Sequence, residues 1–327
     1  MRALATYDLS KDYAVGFWRP RPYRALDRLN LEVQPGDVFG FLGPNGAGKT
    51  TTLKLLMQLV FPTSGRAELL GKPVGDLSVK RRIGYLPEHP YFYDYLTAEE
   101  LLGYFAGLFG YSGEERRARV ARLLDEVGIG AERRLQLRKF SKGMLQRVGI
   151  AQAIINDPEL VIFDEPMSGL DPLGRREVRA LILRLRDRGC TVFFSSHVLS
   201  DAEALCSRVA IMARGRLITS GRLTDMLAFQ VRGWDLVASG VGAALLSLLS
   251  ASALSVTRID DGRYHLELPL DVRHDRLLAD LSAGGGQLVS LTPVRDTLED
   301  FFIKQVTAPD AVGRDRGLGA PVVGARG

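Results

Sequence analysis

At 327 residues the chain is long enough for one large or two modest domains with a sizeable core. Its composition, 46% hydrophobic and 25% charged, is that of an ordinary soluble protein. Forty-three Lys and Arg against 38 Asp and Glu leave a charge of +5, which tolerates nucleotides, nucleic acid or an anionic membrane face and selects none of them.

The N-terminal stretch "MRALATYDLSKDY" holds no apolar run of signal-peptide length. Strands are expected at 3–8, 27–33 and 37–42, then a helix at 49–59, strands at 66–70 and 82–86, and helices at 97–109, 114–127 and 142–155. A strand at 159–163, a helix at 173–188, a strand at 191–195, a helix at 199–205 and strands at 208–213 and 216–220 follow. Near-continuous apolar runs such as "DVFGFLG" and "LVIFD" argue for parallel strands covered on both faces. The helical stretch around 90–157 interrupts this alternation and reads as a subdomain.

The texture changes after Leu227, so residues 1–227 read as one domain and 228–306 as a small α/β appendage. The appendage offers two alternating runs, "RYHLELPL" and "GQLVSLTP", and helices near 241–251, 272–283 and 296–305. "VGAALLSLLSASALSV" (241–256) is too short and too serine-rich to span a bilayer, so any membrane role comes through a partner. The Gly-, Ala- and Pro-rich tail 307–327 is expected to be disordered. Cys190 and Cys206, both in apolar segments, read as reduced, buried thiols of a cytosolic protein.

The strongest chemical signal is "FLGPNGAGKTT". Gly43, Pro44, Asn45, Gly46, Ala47, Gly48, Lys49 and Thr50 satisfy G-x-x-x-x-G-K-[ST] between a strand and a helix, with Thr51 next in the helix. Such glycines let successive backbone N–H groups converge on phosphate oxygens at the positive end of the helix. Lys49 then reaches the β- and γ-phosphates, and the Thr50 hydroxyl is placed for Mg²⁺.

"PELVIFDEPMSGLDP" is the partner motif. Leu160–Phe163 form a buried strand that delivers Asp164 and Glu165 at its C-terminal end, where open α/β sheets keep their sites. Neighbouring residues on a strand point to opposite faces, so the two carboxylates take different jobs. Asp164 suits the Mg²⁺ side, and Glu165 can accept a proton from attacking water. His197, in "TVFFSSHVLS", leaves another strand on the same sheet edge, where it could meet the γ-phosphate or orient that water. In "RKFSKGMLQRV", Ser141, Lys142 and Gly143 open a helix and offer a second anion-binding turn.

Taken together, residues 1 to about 225 resemble the ATP-binding cassette family, specifically the ATP-binding subunit of an ABC transporter. The resemblance implies an α/β P-loop NTPase cassette: a mostly parallel core sheet, antiparallel N-terminal strands and a helical subdomain. It implies ATP and Mg²⁺ as cofactors, Asp164 and Glu165 as magnesium and catalytic carboxylates, and His197 as the switch histidine. Ser168–Asp171 resemble the D-loop, so Asp171 joins the nucleotide-site candidates, and Tyr13 is the expected adenine platform, with Trp18 and Tyr23 as rivals. Phe140–Met144 resemble the family signature, which in this family completes the ATP site of a second copy packed head to tail.

Departures from the family pattern fall at Lys142, Met144 and Glu88. Glu88, in "GYLPEHP", stands where the family carries a glutamine that touches Mg²⁺ or water; a carboxylate still accepts hydrogen bonds but donates none. Together with the short appendage ending "TLEDFFIKQV", these features look like the export-type branch, whose permease is a separate polypeptide. The expected partners are a second copy and an integral membrane permease at the cytoplasmic face, with no nucleic acid. The alternatives are a soluble cassette ATPase acting on ribosomes or DNA, a non-hydrolysing ATP-binding module, and, for 16–23 alone, a basic-aromatic patch for nucleic acid or lipid headgroups.

Overall fold

The computed structural model of the chain describes residues 2–16, 18, 21–226, 231–295 and 297–300. β1 (Leu4–Val15) pairs antiparallel with β2 (Arg21–Val33), forming a hairpin that runs well past the strands expected at 3–8 and 27–33. Its outer part, residues 12–15 paired with 21–24, is half-buried to exposed and carries no apolar alternation, so backbone pairing specifies it. Pro22 is tolerated because β2 lies at the sheet edge, where a missing N–H breaks no ladder bond.

β3 (Val38–Leu42) is buried along its whole length and leads through the phosphate loop into α1 (Lys49–Leu56). β4 (Ser64–Leu69) pairs with β1, and the short β5 (Lys72–Pro73) closes a four-stranded antiparallel sheet ordered β2-β1-β4-β5. After the one-turn helix α2 (Leu77–Lys80), β6 (Ile83–Leu86) enters a second sheet. The helical subdomain contains α3 (Ala98–Leu108), α4 (Gly113–Glu126), a 3₁₀ turn at Leu137–Lys139 and α5 (Lys142–Ala153). α3 starts at Thr97 because a capping box forms there: the Glu100 N–H donates to the Thr97 hydroxyl, and the Thr97 N–H donates to the Glu100 carboxylate.

β7 (Leu160–Phe163), α6 (Pro172–Asp187), β8 (Thr191–Ser196), α7 (Leu199–Leu205), β9 (Arg208–Ala213), β10 (Arg216–Arg222) and α8 (Leu223–Met226) complete the cassette. The second sheet is ordered β10-β9-β3-β8-β7-β6, parallel throughout except for β10 at its edge. Side chains alternate across a strand, so the sheet feeds two cores. Phe39, Phe41, Ile162 and Phe193 pack with Leu53 and Leu56 of α1 and with Leu4, Leu29 and Leu69 of the antiparallel sheet. Phe163, Val192 and Phe194 pack on the opposite side with the helical subdomain, α6 and α7. The phosphate loop and the ends of β7 and β8 thus lie at the C-terminal edge of adjacent parallel strands.

The C-terminal unit has its own core of Leu236, Leu245, Leu266, Leu277 and Leu281. It is a four-stranded antiparallel sheet ordered β12-β13-β11-β14, built from β11 (Val231–Ser239), β12 (Ser255–Asp260), β13 (Arg263–Pro269) and β14 (Gln287–Arg295). α9 (Ala243–Ser250) and α10 (His274–Ala283) contribute the helical side of that core. Two of these strands, β11 and β12, go beyond the two alternating runs expected; β12 is an edge strand with almost every residue exposed, which erases the period. The 227/228 boundary, the tail 307–327 and most of the helix expected at 296–305 lie outside the described residues.

Gly84 of β6 shows how closely the subdomain is set against the sheet. A methyl group there would overlap the carbonyl oxygen of Ala153 at the end of α5. Gly84→Ala is expected to destabilise by about 1–3 kcal/mol through overpacking. Thermal unfolding should show a melting temperature lower by about 2–4 °C for each kcal/mol; an unchanged value contradicts this packing.

Candidate active site

The loop between β3 and α1 is shaped by backbone that only glycine adopts easily. Gly48, the N-cap of α1, has φ +100, and a β-carbon there would stand 2.7 Å from the Ala25 carbonyl oxygen. The first turn of α1 has no acidic residue, and Gly48 provides no side-chain cap, so its leading N–H groups face outward for an anion. The loop borders a cavity of about 370 Å³. The cavity is lined by Pro44–Thr51, by Tyr13, Tyr23 and Ala25 of the hairpin, and by Glu88 and Glu165.

Lys49 is 6% exposed and Glu165 7%. The Lys49 Nζ donates to the Gly43 carbonyl at 2.6 Å and lies 3.2 Å from Glu165 Oε1. The other Glu165 oxygen, Oε2, is 2.8 Å from His197 Nδ1. One buried carboxylate therefore links the phosphate-loop lysine to the histidine after β8. Glu165 has φ +48, uncommon for a residue with a side chain, and its N–H donates to the Ser195 hydroxyl at 2.9 Å. The left-handed turn begins immediately after β7 and separates the two carboxylates.

Asp164 faces the other way. Its Oδ1 accepts from Ser195 Oγ at 2.6 Å and from Thr50 Oγ1 at 3.4 Å. Burial lifts its carboxyl above the ordinary 3.8; the bonds from Ser195 and Thr50 pull it back, while Glu88 and Glu165 push it up further. Ser195 thus bonds to the Asp164 carboxylate and to the Glu165 backbone N–H, a role sequence reasoning misses. Its only signal in the sequence is a hydroxyl at the end of the apolar run "TVFFSSH".

Two groups of candidates emerge. Tyr13, Pro44–Thr51, Glu88 and Glu165 share the cavity, with Gly43, Asp164 and His197 bonded to its lining. Tyr13 and Tyr23 sit directly opposite each other in the hairpin, so both tyrosines reach the cavity, whereas Trp18 is 90% exposed and does not line it. Ser141, Lys142, Gly143 and Asp171 do not line it either. Ser141 caps α5, accepting from the Met144 N–H at 3.3 Å, and Asp171 caps α6, accepting from the Gly174 N–H at 2.8 Å. Lys142 extends across Gly169, where a β-carbon would strike its side chain, so "FSKGM" and "SGLD" adjoin each other. Asp171 thus caps α6 within its own chain.

Glycine-rich loop, buried lysine, paired carboxylates at a strand end and a mixed sheet define a P-loop ATPase cassette. The sequence pattern of the family described as ABC transporter matches residues 26–168. An uncharacterized ABC transporter ATP-binding protein of Synechocystis sp. is 45% identical over 315 residues, covering 96% of this chain and 85% of that one. The bacitracin transport ATP-binding protein BcrA of Bacillus licheniformis is 35% identical over 309 residues, 93% of this chain and 97% of that protein. A dimeric ATP-binding cassette, MJ0796, solved in a post-hydrolysis state with ADP and Pi, superposes with a TM-score of 0.62 at 26% identity, over 67% of this chain and 98% of that one. The chain belongs to the ABC transporter ATP-binding proteins; it is an ABC-type ATPase and binds ATP.

The direction of the Asp164 shift fixes a sign. With its folded value raised, the native state holds the proton more tightly than the unfolded chain, so stability falls as pH rises through that window. Above it, ionised Asp164 is a standing cost to the unliganded fold. Asp164→Asn is therefore expected to melt higher than the wild type at pH 7.5, by about 2–4 °C for each kcal/mol regained. The gain should shrink as pH falls towards 4 while ATP turnover is lost at every pH. A lower melting temperature at pH 7.5 would rule this balance out.

Proposed function

We propose that this chain is the ATPase subunit of an export transporter with a separate permease, and that two copies work head to tail. The observation that carries the reading is the separation of the two anion-binding turns. The phosphate loop gathers with Glu165 and His197 around one cavity, while Ser141 and Gly143 open α5 outside it, beside the D-loop. A second copy turned to face the first supplies its α5 N-terminus to this cavity's nucleotide and receives the same in return. Support for a pair of copies comes from the dimeric cassette of similar fold, and for transport from the bacitracin-transport relative.

Within one site the residues divide the work. Backbone N–H groups of the loop and Lys49 bind the β- and γ-phosphates, which compete with Glu165 for the lysine. Glu165, relieved of that pairing, accepts the proton of the attacking water, and His197 holds the carboxylate in place and faces the γ-phosphate. Tyr13 and Tyr23 offer ring faces to the base. The Thr50 hydroxyl and the carboxylates of Asp164 and Glu88 would hold Mg²⁺. They are hard oxygen donors, and too few to cage an ion without phosphate and water, which suits magnesium. Such an ion would neutralise charge on the phosphate oxygens.

Among the described residues no helix is long and apolar enough to cross a membrane, and attachment at the cytoplasmic face runs through the permease in this reading. The exposed aromatics Tyr91, Tyr93, Tyr95 and Tyr104 near α3 provide the surface for that contact.

Glu165→Gln keeps the shape of the side chain and removes the base. In size-exclusion chromatography at micromolar concentration this variant should elute as a monomer without nucleotide and at twice the mass with ATP. Wild-type protein should return to the monomer as it hydrolyses. A variant that stays monomeric with ATP at saturating concentration would defeat the head-to-tail reading.

A further inference from the structure

Asp201 lies in the first turn of α7 and is 1% exposed, outside every role described above. Its Oδ1 accepts from Arg179 Nη2 at 2.7 Å, and its Oδ2 lies 3.7 Å from Arg175 Nη1. Both arginines are on α6, spaced one turn apart so that they present to the same face. Two guanidiniums around one fully buried carboxylate make a crosslink between α6 and α7. Taking charges out of water is expensive, and such groups are weak stabilisers compared with an apolar contact. The Nε of Arg179 is itself buried without a partner, a further penalty the fold accepts here.

What the crosslink holds explains where it sits. α6 starts at Asp171, the last residue of "SGLD", and Arg175 lies in its first turn, its N–H donating to the Asp171 carbonyl. α7 starts two residues after His197, across a turn fixed by the Ser196 hydroxyl, which accepts from the Val198 N–H at 2.9 Å. A shift of α7 against α6 is thus passed through two residues to the His197 ring and its 2.8 Å contact with Glu165. Catalytic groups lose function when misplaced by about 1 Å, and a turn of two residues has little slack to absorb such a shift.

We infer that Asp201 is a positioning residue: through Arg175 and Arg179 it locks the His197 turn to the "SGLD" turn and so sets the geometry of His197 against Glu165. The inference rests on the assignment of His197 to the hydrolytic site. It concerns rate and not nucleotide binding, because Asp201, Arg175, Arg179 and His197 do not line the phosphate cavity.

ATPase kinetics of the full chain test this with Asp201→Asn, His197→Ala and the double variant, each first checked for a cooperative thermal melt. Asp201→Asn is expected to lower kcat about 10-fold with KM for ATP within about 2-fold, and His197→Ala to lower it further. The double variant should match His197→Ala within about 2-fold, since residues that act through one another are not additive. If Asp201→Asn fails to fold, Arg179→Met, which leaves Arg175 in place, takes its role in the same cycle with the same expectation. Losses that multiply in the double variant, an equal rise in KM, or an unchanged kcat in the crosslink variants would overturn the positioning role. A wild-type kcat in His197→Ala alone defeats the assignment of His197, and the positioning role with it.

Discussion

The arrangement of the active site depends on one buried positive charge. Lys49 is almost wholly out of water, and an unpaired ammonium in that place is prohibitive. The Gly43 carbonyl and Glu165 satisfy it, and Glu165 is in turn held by His197. The glycine loop shapes the cradle, but this charge relay connects the end of β3 to the ends of β7 and β8. Parallel strands are well suited to the task, because three adjacent ones deliver their C-terminal residues to the same edge.

The pairing also separates the duties of the two acids. Asp164 and Glu165 are neighbours in the chain, and two like charges released on the same side would repel in a buried site. The left-handed turn at Glu165 sends one towards Lys49 and His197 and leaves the other with Thr50 and Ser195. Ser195 serves both, accepting from the backbone of one and donating to the side chain of the other. Each carboxylate thus keeps a distinct chemical environment although one peptide bond joins them.

How much of this was readable in the sequence depends on how local the chemistry is. The phosphate loop is eight contiguous residues with four anchors at fixed spacing, and the apolar run before Asp164 marks a buried strand unaided; both were legible. The meeting of Glu165 with His197 could be expected only as a shared sheet edge, since their contact depends on strand order. Ser195 and Asp201 were not legible, because a lone hydroxyl or carboxylate shows nothing of its partners on another element. The outer end of the hairpin, β5 and β12 were obscured for a different reason: exposed pairing leaves the side chains free of any period. Tyr23 reads in the sequence as a rival to Tyr13, and the register that sets them opposite each other brings both to the cavity.

The same reasoning bears on how the C-terminal unit meets the cassette. Leu298 is fully buried and joins the core on the helical side of the parallel sheet, together with Leu205 and Cys206 at the end of α7. Its N–H donates to the carboxylate of Glu203, also on α7, at 2.5 Å. Around residue 297 a small capping arrangement forms, with the Thr297 hydroxyl and the Asp300 carboxylate exchanging bonds with each other's N–H groups. The seven-residue helix α7 is therefore held by Asp201 towards α6, by its short turn towards His197, and by Glu203 towards the C-terminal unit. A helix so short has little stability of its own, and its place is set by what grips it. Those grips come from the D-loop helix, the strand that carries the histidine and the appended unit, which makes α7 the element where all three meet.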